Sequence, residues 1–188
     1  MSSLPKILEF NKAFVENEDF VQYRTTKFPD KKMVILACMD TRLLELLPKA
    51  MNIKNGETKL IKNAGAIVSH PFGSIMRSIL IAVYELEADE VYVIGHHDCG
   101  MLKHSATSLL EKSQERGVSS ETIEMLTHAG IDLEAWLKGF STVEESVENS
   151  VEMIKKHPLF SSEIPVHGLV IDPGTGKLDV VVDGLKDS

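Results

Sequence analysis

The sequence predicts an α/β fold: a central, mostly parallel β-sheet flanked by helices, with an N-terminal helical arm and a C-terminal β-hairpin. Three observations lead there. Two short apolar runs, Met33-Val-Ile-Leu-Ala37 and Val91-Tyr-Val-Ile-Gly95, are rich in β-branched residues and uninterrupted, as strands buried on both faces require. Strand and helix patterns alternate along the first hundred residues, an order that favours parallel crossovers. The chain has 188 residues, 43% of them hydrophobic, enough to bury a core without disulfide staples. The expectation is one domain spanning 1–188.

Taken in order, Leu4, Ile7, Leu8 and Phe14 recur at helical spacing and predict an amphipathic arm to about Val15. Lys6, Glu9, Lys12 and Glu16 interrupt it, so no export signal or membrane span can be drawn there. Met33–Ala37 is the first strand, Lys59–Lys62 a further strand and Val91–Gly95 the next. Phe72, Ile75, Met76, Ile79, Leu80 and Val83 mark the buried face of the helix that precedes this last strand. From Met101 to about His157 the chain reads as helical, and Thr142-Val-Glu-Glu145 has capping-box spacing ahead of Val147, Val151 and Ile154. Val166–Asp172 and Leu178–Asp183 flank Pro173-Gly-Thr-Gly176 and predict the hairpin.

Charge narrows the partners. Twenty basic against 28 acidic residues give a net charge of -8, which would repel a phosphate backbone, so nucleic acid is not an expected partner. The two cysteines, Cys38 and Cys99, are too few and too far apart for a secreted disulfide framework. A reducing cytoplasm fits them best.

Both core strands end at a potential metal ligand. Cys38 follows the first, and His96-His-Asp-Cys99 places an imidazole and a thiol in the turn after the other. Adjacent parallel strands would bring these together, because ligands of such sheets gather beyond the carboxyl ends of the strands. A Cys2His set leaves one tetrahedral position free on zinc, the arrangement of a catalytic site. Asp40 and Arg42 follow Cys38 at two and four residues. Asp40 could hydrogen-bond a water in the open position or displace it, and Arg42 could decide between these outcomes by gripping the carboxylate bidentately. By type, His97 and Asp98 are also possible ligands. No G-x-G-x-x-G or P-loop pattern supports nucleotide binding.

Cys38-x-Asp40-x-Arg42 followed by Gly95-His96-x-x-Cys99-Gly100, with Asn63-Ala-Gly65 between them, resembles the β-class carbonic anhydrases, and most closely their compact archaeal and bacterial branch. Two positions depart from the usual pattern: Lys62 stands where the family often has Arg, and Met101 where it has a small residue. The resemblance implies that Cys38, His96 and Cys99 hold Zn2+ and that Arg42 pairs with Asp40. It implies that Asp40 is either the fourth ligand in a closed state or the partner of the bound hydroxide. It further implies a homodimer or a multiple of dimers, with the N-terminal arm reaching onto the partner subunit.

The expected activity is reversible hydration of CO2 to bicarbonate and a proton by attack of zinc-bound hydroxide. Backbone N–H groups at Gly65 and Gly100 are expected to approach the substrate oxygens. Two thiolates cancel the formal charge of Zn2+, so activity should rise through the alkaline range. Three rival readings are hydrolysis of carbonyl sulfide or carbon disulfide at the same metal, a non-catalytic zinc-stabilised interaction protein, and a Cys38–Cys99 redox pair. The last lacks the C-x-x-C arrangement of disulfide oxidoreductases.

Overall fold

A computed structural model describes residues 2–102 and 104–186. Lys103, within the stretch predicted helical, and residues 1, 187 and 188 of the expected domain lie outside the described residues. Among the described residues, five strands form one sheet: β1 (Met33–Cys38), β2 (Thr58–Asn63), β3 (Glu90–His96), β4 (Val166–Ile171) and β5 (Leu178–Val182). They lie in the order β2-β1-β3-β4-β5; all pairings are parallel except β4 with β5. The predicted α/β fold with a mostly parallel sheet is therefore what forms. The chain runs from β1 through α2 (Leu43–Ala50) to β2 on one side, then crosses back through α3 (Ser74–Tyr84) to β3 on the other side of β1. The strand order thus reverses between the carboxyl ends of β1 and β3, where open α/β sheets bind ligands.

Both faces of the sheet are covered. Val34 and Leu36 of β1 join Met76, Ile79, Val91, Val93, Val147, Val151 and Ile154 in one core layer. Ile35 and Ala37 point the other way and pack with Leu43, Leu47, Ile94, Leu169 and Ile171. Alternate residues of one strand thus fill opposite layers, which is why the strand reads as an unbroken apolar run. The helix α7 (Val143–Lys155) lies close against the sheet over Gly95 and Gly168. A Cβ at Gly95 would sit 2.6 Å from Val143 Cγ2, and one at Gly168 2.7 Å from Val147 Cγ1. Thr142 caps α7 as its motif predicts, its Oγ1 accepting from the Glu145 N–H at 3.3 Å.

Two expectations are corrected. Phe72 precedes α3 and is 71% exposed, so the buried face of that helix begins at Met76. The segment 101–157 is not continuous helix but α4 (Ala106–Glu115), α5 (Ser120–His128), α6 (Leu133–Leu137) and α7. Gly117 and Gly130, both at positive φ just past the ends of α4 and α5, account for the breaks. The N-terminal helix α1 spans Leu4–Glu16 and buries none of its residues; Leu4, Ile7, Leu8 and Phe10 are all more than half exposed. Among the described residues no helix is long and apolar enough to cross a membrane.

Candidate metal centre

β1 delivers Cys38 and β3 delivers His96 at their carboxyl ends, side by side, because Ala37 and Ile94 are already paired in the ladder. The tight turn after β3 returns Cys99 to the same place. The donor atoms of Cys38, His96 and Cys99 all lie within 4.8 Å of one another, and all three residues are buried. The two Sγ atoms are 3.9 Å apart and unbonded. Two thiolates on one tetrahedral zinc stand about 3.8 Å apart by simple geometry from Zn–S lengths near 2.3 Å.

His96 gives the sharpest test of whether these residues suit a metal. Its Nδ1 lies 2.9 Å from the His97 carbonyl oxygen, a group that can only accept. The neutral ring therefore carries its hydrogen on Nδ1 and turns the Nε2 lone pair toward the thiols. That Nε2 is buried and has no hydrogen-bond partner. A buried acceptor without a donor is costly and rare in folded proteins. A cation between the three donors satisfies it.

The electrostatics agree. Burial pushes the Cys38 thiol up, but the His96 ring and the backbone N–H groups of Gly65 and Asp40 outweigh it and bring it down to about 7. Burial alone would depress His96; the Cys38 thiolate, the His97 carbonyl and Asp40 raise it instead. Cys99 is pushed up to about 11, first by burial and then by the neighbouring Cys38 and Asp40. A second thiolate in this space needs a positive charge beside it, which a divalent metal supplies.

Gly65 lies where β2 ends and the chain turns sharply beside the site. Its φ is +85°, and an added Cβ would meet Ile67 Cδ1 at 2.9 Å and Met101 Cγ at 3.1 Å, so glycine is required twice over. Asn63 fixes this turn through a reciprocal pair, Nδ2 to the Ile67 carbonyl at 2.6 Å and the Ile67 N–H to Oδ1 at 3.1 Å. The Gly65 N–H donates to Cys38 Sγ at 3.4 Å. Gly100 is exposed with open space around its Cα.

Asp40 lies beside the donor set, not within it. Its Oδ2 is 3.8 Å from His96 Nε2. Arg42 grips it along both edges: Nε to Oδ1 at 3.0 Å, Nη2 to Oδ2 at 2.8 Å, and the Arg42 backbone N–H to Oδ1 at 2.9 Å. These contacts hold the Asp40 carboxyl at about 2, well below its usual range, and raise Arg42. Arg42 also donates from Nη1 to Asp98 Oδ2 at 2.8 Å and from Nη2 to the Asp98 carbonyl at 2.9 Å. Sequence reasoning treated Asp98 only as a possible ligand by type and missed this contact. Asp98 stands at φ 53, a region that aspartate tolerates better than most residues. His97 is exposed, and its backbone N–H donates to the Ile171 carbonyl.

Two hollows open on this side of the molecule, and His96 and Cys99 line only the smaller. One of about 210 Å3 is lined by Cys99, Leu102, Phe140 and the start of α7. The other, about 680 Å3, is lined by Met39, Ile67, Met101, Trp136 and Phe140 among others.

A family profile described as "Carbonic anhydrase" matches residues 33–178. The chain is 64% identical over 187 residues to "Putative carbonic anhydrase YtiB" of Bacillus subtilis (strain 168), covering all of both chains. It superposes with a TM-score of 0.88 on the crystal structure of β-carbonic anhydrase isoform I from Trichomonas vaginalis, at 34% identity and covering 98% of this chain and 100% of that one. A carbon disulfide hydrolase of Saccharolobus solfataricus (strain ATCC 35092 / DSM 1617 / JCM 11322 / P2) is more distant, 25% identical over 174 residues, 86% of this chain and 83% of that one.

Proposed function

The chain belongs to the β-carbonic anhydrase family, and from that premise we propose that it catalyses the reversible hydration of CO2 to bicarbonate and a proton at a zinc ion held by Cys38, His96 and Cys99. One observation carries the reading. The buried, unpartnered Nε2 of His96 faces two thiols, while Asp40, 3.8 Å away, is kept out of the donor set by Arg42.

Zinc held by Cys38, His96 and Cys99 would supply a Lewis acid that lowers the pKa of water. The chain's own groups do the rest. Asp40, ionised because Arg42 holds its carboxyl at about 2, accepts a hydrogen of the attacking water at Oδ2 and orients it. So weak a base does not keep the proton, which passes on to solvent and buffer. His96 is fixed in ring orientation by its Nδ1 contact to the His97 carbonyl. The Gly65 N–H draws charge from Cys38 Sγ and would leave a metal held there a better Lewis acid than two unassisted thiolates would. Leu102, Phe140 and Val143 give the hollow that includes His96 and Cys99 an apolar wall suited to an uncharged, linear substrate.

The enzyme works as a homodimer or a multiple of dimers in the cytoplasm. Supporting this are the exposed apolar side chains of α1, which want a covering surface, and a site built on two free thiols. The sulfur analogues carbon disulfide and carbonyl sulfide are the competing substrates, and likeness to a carbon disulfide hydrolase keeps them in view. Turnover of zinc-loaded protein on CO2 and on carbon disulfide, side by side, decides between them. Rapid CO2 hydration with little carbon disulfide consumption is expected, and the reverse ratio would overturn the assignment.

A further inference from the structure

We propose that Asp98 is a positioning residue that anchors Arg42 and thereby keeps Asp40 off the metal; this rests on the reading of Cys38, His96 and Cys99 as ligands. The inference comes from where the two carboxylates sit. Asp40 and Arg42 belong to one loop, two residues apart and just after Cys38, so their mutual grip travels with that loop and does not by itself fix them relative to His96 and Cys99. Asp98 belongs to the other loop, between His96 and Cys99. By bonding Arg42 it ties the pair to the turn that carries two of the three ligands.

The donor count shows how completely Arg42 is committed. Of its five N–H groups, Nε and one on Nη2 go to Asp40, while one on Nη1 and the second on Nη2 go to Asp98. Asp98 presents both its carboxylate and its backbone carbonyl to the same guanidinium. It does so from a left-handed backbone, φ 53, that non-glycine residues enter reluctantly. Opposite this anchor, Asp40 Oδ2 lies only 3.8 Å from His96 Nε2, so a modest slackening of Arg42 lets the carboxylate reach the metal. The Asp98 side chain is 86% exposed, which makes the anchor adjustable by salt instead of permanent.

Azide binding to the cobalt-substituted protein, followed by visible absorption, tests this, because an anion probe must compete with Asp40 for the open position. Asp98→Asn and Asp98→Gly both suit the left-handed backbone and leave the carbonyl contact available. Each should weaken azide binding about two- to fivefold at low ionic strength, and the difference should shrink in high salt. In an Asp40→Ala background the same substitutions should change nothing, since no carboxylate is left to compete. Unchanged azide affinity in both Asp98 variants, with normal cobalt uptake, would overturn the role of Asp98 alone. A loss that persists without Asp40 would also overturn it, by showing a general distortion of the turn. Failure of the parent to take up cobalt at the triad would instead overturn the metal-site reading beneath it.

Discussion

Arg42 holds both oxygens of Asp40, Nε 3.0 Å from Oδ1 and Nη2 2.8 Å from Oδ2, at the rim of a buried Cys-His-Cys cluster. On the proposed zinc reading, this pairing separates an open metal site from a closed one.

Arg42→Ala should release Asp40. Carboxyl 13C NMR of the metal-free protein should place the Asp40 midpoint near pH 2 in the parent, depressed by Arg42, and back toward its ordinary value of 3.8 in the variant. The sign follows: a depressed folded-state value contributes stability above the ordinary value, lost as pH falls from there toward 2. That contribution is on the order of 1 kcal/mol once solvent screening of the pair is counted. In zinc-loaded protein the substitution should lower CO2 hydration on the order of a hundredfold, and Arg42→Lys should not restore it, because a lysine cannot fork.

Gly65→Ala places a methyl against Ile67 and Met101 in a backbone conformation that alanine resists. Displacement of the N–H from Cys38 Sγ should cost about 10- to 100-fold in metal affinity or CO2 hydration. Competition with a chromogenic zinc chelator measures the first, stopped-flow pH indicators the second.

Much of the architecture was readable in advance because it rests on periodicity. The runs before Cys38 and His96 had to be strands buried on both sides, and Thr142 with Glu145 announced the start of α7. What escaped were features decided by tertiary contact. Phe72 continued an apolar stripe, yet the chain turns before α3 and leaves it outside. At the centre itself, residue types and spacing pointed to Cys38, His96, Cys99, Asp40 and Arg42, but spacing carries no information on which loop Arg42 reaches. Its bond to Asp98, 56 positions away, exists only because β1 and β3 are neighbours.

Thr142→Ala removes the oxygen that satisfies the Glu145 N–H at the start of α7. A destabilisation of about 1 kcal/mol is expected. It should appear as a lower urea midpoint with an unchanged slope.

The pH dependence of turnover should reflect the two thiolates. Because they neutralise the charge of Zn2+, the nucleophile forms at higher pH than at an all-histidine zinc, and the rate should climb through the alkaline range. A profile already flat well below neutrality would count against this electrostatic account.

The most direct test of the central claim is zinc content measured together with CO2 hydration in the parent and in Cys38→Ser. The account predicts one zinc per chain and rapid hydration in the parent, with both lost in the variant. A Cys38→Ser protein that folds, keeps its zinc and hydrates CO2 like the parent would contradict it.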